Sequence, residues 1–280
     1  MQSEEGRSNP SIDATRDDMG RSGAMGSSSV PRPTSLMLAR LEHWASESTR
    51  PRAVALLTIA LFLLASIAFW PQYLSKSWSS IDRYTHAHAI LGTVWLLVLI
   101  VQPLLIVRGS RAAHRIIGRT SLLVAVSFVV SGVLLAHFRI SRMPDDIYAK
   151  EGIYIYLPLA VALLFALAAG MGFHWRHSAA IHARFMVATA LLLVDPVLAR
   201  IMYFYLPPLP DVRMYQGITF AFIAVVLTFL VRSLPPTVQG RRAYRGFCLG
   251  TGLTLALFFA VPQTDMWLAF THWFRALPMT

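Results

Sequence analysis

Histidines are the residues of this chain best suited to chemistry, and seven of its nine histidines fall at the ends of long apolar runs. Imidazole nitrogens bind transition metals and haem iron, and they exchange protons near neutral pH. The spacing predicts one group of His86, His88 and His137 and another of His114, His174, His177 and His182, with His43 and His272 outside both. The sequence therefore raises the question of what two separate histidine layers could hold.

One hypothesis is a membrane redox protein, because two layers of histidines suit a carrier with two b-type haems, each held by imidazoles from facing helices. On this hypothesis His114 and His182 bind haem at the inner face, and His88 and His137 bind haem at the outer face. His88 is preferred to His86 because residues two apart on a helix project about 200° from each other, and His88 lies deeper. The alternative is that these histidines are polar residues of the membrane interface.

A second hypothesis centres on Asp195, which lies inside an apolar run. A charge at bilayer depth costs ~2.5 to 3.5 kcal/mol, so Asp195 should face the bundle interior and have a partner. We expect that partner to be an outer histidine. His88, His137 and Asp195 together then predict a three-ligand metal site, in an enzyme or a proton-coupled carrier. The third alternative is a structural or sensory bundle in which these polar residues only fix helix register.

Other polar residues in the apolar runs have simpler interpretations. Arg200 is about 140° around an ideal helix from Asp195, so the two do not face each other unless Pro196 bends the backbone. Arg184 and Arg200 are expected to extend to lipid headgroups. Gln102 is expected to hydrogen-bond between helices. No HExxH, CxxC or GxSxG sequence is present, so no catalytic residue is predicted.

The elements that must position these residues are membrane helices. Of the 280 residues, 55% are hydrophobic and 14% are charged, against about 25% charged in a typical soluble domain. The net charge of +11 is scattered over short loops, which favours a lipid bilayer and not nucleic acid as the partner. Apolar runs predict seven spans, at about 53 to 70, 86 to 107, 117 to 138, 153 to 173, 181 to 204, 217 to 232 and 246 to 262. The last two are short, and a re-entrant pair there would reduce the count to five.

The distribution of basic residues predicts the orientation, because cytoplasmic loops hold an excess of Lys and Arg. The turns after spans two, four and six carry Arg108, Arg111, Arg115, Arg119, Arg176, Arg184, Arg232, Arg241, Arg242 and Arg245. In the other connections, acidic residues dilute the basic ones. The predicted fold is therefore an all-α, polytopic transmembrane helical bundle of about seven spans, with the amino terminus in the cytoplasm and the carboxyl terminus outside.

The segments around the bundle differ from it in composition. Residues 1–34 are polar and rich in Ser, Gly and Pro, which predicts a disordered cytoplasmic tail. Residues 35–50 carry Leu36, Leu41 and Trp44 at helical spacing, typical of an amphipathic lead-in helix. Residues 51–265 are the predicted bundle, and residues 266–280 are a predicted aromatic-rich interfacial tail.

The motifs HAHAILGTVW at 86–95, HRIIGR at 114–119 and HARFMVATALLLVDPVLAR at 182–200 occur together with Gln102. In this combination the chain resembles bacterial multi-pass membrane proteins grouped as families of unknown function. The resemblance covers roughly residues 80–205. It implies a protein of the bacterial inner membrane and supplies no activity or ligand.

Overall fold

The computed structural model describes residues 50–280, which form helices joined by short connections and contain no strand. The predicted disordered tail, 1–34, and most of the predicted lead-in helix, 35–50, lie outside the described residues. The helices are α1 (Pro51–Phe69), α2 (Arg83–Val107), α3 (Arg111–Ser141), α4 (Asp145–Glu151), α5 (Tyr156–His174), α6 (Ala179–Leu192), α7 (Val194–Tyr205), α8 (Val212–Arg232), α9 (Arg241–Leu257) and α10 (Asp265–Ala276).

Seven helical segments of this range are long and apolar enough to cross a membrane, which confirms the predicted fold class and number of spans. They are Pro51–Leu74, Arg83–Val107, Arg111–Ser141, Asp145–His174, Ala179–Tyr205, Arg213–Arg232 and Arg241–Gln263. The two runs that looked short in the sequence belong to helical segments of 20 and 23 residues, the second of which consists of α9, a turn and the short 3₁₀ helix Val261–Gln263. At about 1.5 Å of rise per residue, each is about 30 Å long or more, which matches the hydrocarbon core. By length and composition the chain is a multi-pass integral membrane protein.

Neighbouring spans run antiparallel, as contacts between α2 and α3 illustrate. A Cβ added at Gly92 would lie 3.0 Å from Phe128, and one added at Gly132 would lie 3.2 Å from His88. The bundle therefore has two ends. We call the end with connections 108–110, 175–178 and 233–240 the arginine-rich end, and the end with connections 75–82, 142–144, 206–211 and 258–264 the opposite end.

The centre of the bundle is a fully buried aromatic and aliphatic cluster that fixes the depth of the helices. Trp95 packs edge-to-face on Phe165 with ring centroids 5.2 Å apart, and Phe165 packs on Phe128 in the same way at 5.1 Å. The Trp95 indole N–H donates to the Thr189 hydroxyl at 3.3 Å. This hydrogen bond places α2 beside α6 and sets the depth of the residues on either side.

The fifth span is interrupted, since α6 ends at Leu192 and α7 begins at Val194. Pro196 has no N–H to donate to the Leu192 carbonyl, and its ring excludes that carbonyl from a regular helix. The backbone at Leu193 turns more tightly instead, and its N–H donates to the Ala190 carbonyl at 3.0 Å. The two halves of this span therefore present their polar residues separately, those on α6 towards the arginine-rich end and those on α7 towards the opposite end.

The aromatic-rich segment after the last span forms helix α10 beside the opposite end of α3. Phe274 is buried against Ala136, Ile140 and Ile155. Arg275 forms an ion pair with Asp145 at 2.9 Å. The location of helix α10 at a membrane interface stays a prediction.

Candidate functional site

The structure brings together one of the two predicted histidine pairs, at the arginine-rich end. His114 lies near the start of α3, and His182 lies near the start of α6. Their ring centroids are 6.4 Å apart, and the ring planes are nearly perpendicular, at 89°. Both side chains are partly buried. The pair joins two spans that are distant in sequence, so it depends on the packing of the whole bundle.

His182 is held in one orientation by a neighbouring helix. Its Nδ1–H donates to the Gly172 carbonyl of α5 at 2.8 Å. Gly172 permits this close approach, because a Cβ there would collide with the side chain of Met186. Among residues 50–280 the other ring nitrogen, Nε2, makes no hydrogen bond. Metal-binding histidines are commonly oriented in this way, with one nitrogen on a backbone carbonyl and the other free.

Buried polar atoms without partners surround this pair. His114 Nδ1 and both polar atoms of the Gln102 amide are buried and have no hydrogen-bond partner within residues 50–280. Gly118, one helical turn from His114, faces Gln102, since a Cβ there would lie 3.5 Å from Gln102 Nε2. The expectation that Gln102 hydrogen-bonds between helices was therefore wrong. An unpaired buried polar group costs about 1 to 3 kcal/mol, and such groups usually mark an additional ligand, ion or water.

The distance between the two ring centroids is compatible with a metal ion between the rings. A metal lies about 2.0 to 2.1 Å from an imidazole nitrogen, and the ring centroid lies about 1.1 Å beyond that nitrogen. Two imidazoles on opposite sides of one metal therefore have centroids about 6.3 Å apart. The observed separation of 6.4 Å between His114 and His182 matches this value. The donor set, two neutral nitrogens, suits iron, copper or zinc.

The histidines of the opposite end are held separately. His88 Nδ1 is hydrogen-bonded to the Ser131 hydroxyl at 3.1 Å, and its ring stacks on Phe128. His137 Nδ1 is hydrogen-bonded to the Thr280 hydroxyl at 2.7 Å. The structure therefore does not bring His88 and His137 together as it does His114 and His182.

Asp195 has a different partner from the one we predicted. Its carboxylate accepts a short hydrogen bond from the Thr219 hydroxyl of α8, and Asp195 is 3% exposed. The prediction of an outer histidine as its partner was wrong, because Asp195 on α7 faces α8 and not α2 or α3. Among residues 50–280, no three His, Cys, Asp or Glu side chains are close enough to hold a metal ion. His88, His137 and Asp195 thus do not converge on one coordination sphere.

The two arginines of the fifth span also differ from expectation. Arg184 is 5% exposed, so it does not extend to headgroups. Its guanidinium donates to the Leu230 carbonyl at 3.2 Å and to the Ser233 hydroxyl at 3.0 Å, which ties α6 to the end of α8. Arg200 is half-buried, and its Nη1 donates to the Pro196 carbonyl at 2.9 Å.

The remaining histidines of the two groups lie outside the paired site. His174 and His177 are exposed at the arginine-rich end. His86 is hydrogen-bonded to the Tyr73 hydroxyl and stacks on Trp78 at the opposite end. His88 contacts Ser131 and Phe128 of α3, whereas His86 contacts Tyr73 at the end of the first span.

Sequence reasoning missed the hydroxyl residues that satisfy the buried polar groups, namely Ser131, Thr219, Ser233 and Thr280. Serine and threonine are frequent hydrogen-bonding residues between membrane helices, which is the signal that could have found them.

Comparisons of the whole chain match no protein-family model, no curated protein and no solved structure. The function is therefore inferred from the site alone.

Proposed function

We propose that the protein is a redox protein of the bacterial inner membrane that binds one b-type haem between His114 and His182. The proposal places the arginine-rich end in the cytoplasm, as the excess of basic residues there favours. The observation that supports it is the separation of 6.4 Å between two perpendicular imidazole rings on facing spans. The unpaired buried atoms of His114 and Gln102 support it further.

In this function the protein supplies ligands, orientation and charge. The Gly172 carbonyl accepts a hydrogen bond from Nδ1–H of His182, which leaves Nε2 as the nitrogen that would bind the iron. Arg111 and Arg115, both exposed near His114 on α3, provide positive charge for the carboxylates at the edge of a haem. A haem held by these two histidines would supply one-electron redox chemistry.

The proposal is restricted to one haem. Within residues 50–280 the His88 ring packs on Phe128 and the His137 ring packs on Phe274, so these two imidazoles do not face each other as His114 and His182 do. The alternative of a metal-dependent enzyme or carrier centred on these two histidines and Asp195 has less support for the same reason.

The test is the absorption spectrum of the full chain purified in detergent, with haem and metal contents measured on the same sample. We expect a Soret band, sharpened α and β bands on reduction, and about one haem per chain. His114→Ala and His182→Ala should each lose the haem. His174→Ala and His177→Ala are matched controls, because these exposed histidines lie at the same end, and both should retain it.

Two results would contradict the proposal. Wild-type protein made in haem-supplemented cells could show no haem absorption, or the loss of haem could be equal in the paired and the exposed histidine variants. If the purified protein contained one metal ion per chain and no haem, and His182→Ala lost that ion, the histidine pair would bind a bare metal ion and the haem proposal would be wrong.

A further inference from the structure

Two arginines and two aromatic rings form a continuous row from α2 to α3 at the opposite end of the bundle. The guanidinium carbon of Arg83 lies 4.9 Å from the centre of the Tyr84 ring. The Tyr84 ring packs on Phe138 of α3 with centroids 4.8 Å apart. The guanidinium carbon of Arg142, directly after α3, lies 4.6 Å from the centre of the Phe138 ring. We call these four residues the arginine–aromatic row, in which the two packed rings hold two arginines of neighbouring spans.

Both arginines of the row are exposed, and most of their hydrogen-bond donors are unused. Within residues 50–280, the Arg83 guanidinium donates one hydrogen bond, to the Tyr84 hydroxyl at 3.0 Å, and the Arg142 guanidinium donates none. A guanidinium carries five N–H groups, and one that lies over a ring contacts that ring with its face. The N–H groups at the edges of both guanidiniums are therefore accessible to oxygen acceptors from outside the chain.

The acidic residues closest to the row in sequence form ion pairs with other arginines. The Asp82 carboxylate lies 3.8 Å from the Arg139 guanidinium. The Asp145 carboxylate lies 2.9 Å from the Arg275 guanidinium. Within residues 50–280, neither arginine of the row forms an ion pair. The row therefore presents two positive charges that no acidic side chain of the described range neutralises by direct contact.

The face of α2 that carries Arg83 is the face that contacts lipid. Arg83, Ala87 and Ile90 share this face, because helical residues four and seven positions apart project in similar directions. Ala87 is exposed, and Ile90 is 48% exposed, within a segment apolar enough to span the membrane. An exposed apolar face of a spanning helix packs against acyl chains, and Arg83 lies at the end of that face. An anion bound there is at the depth of the phospholipid phosphates.

We propose that the arginine–aromatic row binds the headgroup phosphate of an anionic phospholipid in the leaflet at the opposite end. Arginine N–H groups bind phosphate oxygens in pairs, and basic residues beside a membrane span attract anionic lipids. Two unneutralised positive charges favour a headgroup with a net negative charge, because the ammonium group of a zwitterionic headgroup is repelled by them. The acyl chains of the bound lipid lie along the exposed face of α2, next to Ala87 and Ile90.

The experiment measures photo-crosslinking of lipids to the full chain in phosphatidylcholine nanodiscs. A small fraction of phosphatidylglycerol carries a diazirine next to its headgroup, and phosphatidylcholine with the same diazirine is the control lipid. After illumination, crosslinked peptides from residues 83–90 and 134–142 are quantified by mass spectrometry. We expect phosphatidylglycerol to label these peptides at least tenfold more than phosphatidylcholine does. Excess sodium phosphate in a second arm should leave the labelling unchanged.

Three variants test the role of the row. The double variant Arg83→Gln and Arg142→Gln removes both charges, and its labelling by phosphatidylglycerol should fall to the level of phosphatidylcholine. The matched control is Arg108→Gln with Arg119→Gln, because these exposed arginines lie at the arginine-rich ends of the same two spans. This control should label residues 83–90 and 134–142 as the wild type does. Phe138→Leu keeps both charges but removes the ring between them, so it should lower the labelling at least threefold even if the double variant fails to fold.

Several results would overturn the proposal. The two lipids could label the peptides equally, or the double variant and Phe138→Leu could both be labelled like the wild type. The control pair could also lower the labelling as much as the double variant does, which would show a general effect of charge. Loss of labelling in excess phosphate would assign the row to a soluble anion and not to a lipid. None of these results depends on haem, because the row and the histidine pair lie at different ends.

Discussion

Both ends of the bundle contain buried histidine and arginine side chains. The two ends differ in which of these side chains have hydrogen-bond partners. At the arginine-rich end the buried Arg184 has four hydrogen bonds, whereas His114 and Gln102 have buried atoms without partners. At the opposite end His88 and Asp195 have hydroxyl partners, whereas Arg200 has a buried nitrogen without one. Residue type alone therefore does not mark a binding site in this protein. Unpaired buried atoms do not mark one on their own either, since within residues 50–280 they also occur at Trp175 Nε1 near the arginine-rich end and at His137 Nε2 near the opposite end.

The largest expected effect compares the two arginines of the fifth span. Arg184→Met keeps the length of the side chain but removes all four guanidinium hydrogen bonds, to the carbonyls of Ala180, Leu230 and Ser233 and to the Ser233 hydroxyl, so we expect a loss of about 2 to 3 kcal/mol in unfolding free energy. Arg200→Met loses one hydrogen bond, to Pro196, and should cost at least about 1 kcal/mol less. Thermal and denaturant unfolding in detergent measure both.

Arg176→Met is the control for this comparison, because Arg176 is exposed and donates only to the Phe173 carbonyl of its own turn. It should change stability by less than about 0.5 kcal/mol. Equal losses in Arg184→Met and Arg200→Met would show that the two ends do not differ in the way the hydrogen bonds indicate.

A second prediction concerns the buried carboxylate of the opposite end. Thr219→Val preserves the shape of the side chain but removes the donor to Asp195, so we expect a loss of about 2 kcal/mol. Thr228→Val, on the same helix, is the matched control, because Thr228 is exposed and donates only to the Ala224 carbonyl of its own helix. If both variants unfold at the same temperature, Asp195 does not depend on Thr219.

The sequence predicted the number of spans because lipid imposes one strong rule, that each span is apolar over about twenty residues. It predicted the fifth span as one continuous run at 181 to 204 and indicated Pro196 only as a residue at which the backbone could bend, so the interruption at Leu193 was not predicted. The pairing of His114 with His182 was predicted from depth alone, as two histidines near one membrane face.

The partners of the polar residues could not be predicted in the same way. Apolar spans show little amphipathic periodicity, because lipid and the bundle interior are both apolar, so the sequence does not show which face of a helix meets which neighbour. We therefore predicted that Asp195 pairs with a histidine at the same depth, whereas in the structure it accepts a hydrogen bond from Thr219 of α8. We predicted that Arg184 extends to the lipid headgroups, whereas in the structure it donates to the Leu230 and Ser233 carbonyls at the end of α8.

The packing at the two ends can be compared at two glycines of α3, Gly118 and Gly132. A Cβ at Gly118 would make ordinary contact with Gln102 at 3.5 Å, whereas one at Gly132 would press on His88 at 3.2 Å. Alanine favours a helix over glycine by about 1 kcal/mol, so Gly118→Ala should raise the unfolding temperature. His88 is held by Ser131 and Phe128 and cannot withdraw freely.

We therefore expect Gly132→Ala to be about 1 kcal/mol less stable than Gly118→Ala in matched thermal unfolding experiments. A stability for Gly132→Ala equal to or above that of Gly118→Ala would mean that His88 is not held tightly, and the contrast between the ends would weaken.

The smallest effect is a pH dependence at the opposite end. Asp82 caps α2, accepting hydrogen bonds from the Thr85 backbone at 2.8 Å and the Thr85 hydroxyl at 2.7 Å. Burial raises the pKa of Asp82, but the Thr85 hydrogen bonds and the charge of Arg139 outweigh it, so the pKa lies below the ordinary 3.8. A lowered folded pKa gives stability that is fully present above the unfolded value and is lost as pH falls through the folded value.

We expect the wild type to lose up to about 1 kcal/mol of stability from this group as pH falls below about 4, and Asp82→Asn to lack that component. Asp146→Asn is the control, because Asp146 is an exposed carboxylate at the same end. The measurement is the unfolding temperature of the three proteins from pH 6 to pH 3. A wild-type profile parallel to that of Asp82→Asn would show that the cap is not charge-dependent. The satisfied polar groups of the opposite end would then contribute through their neutral hydrogen bonds alone.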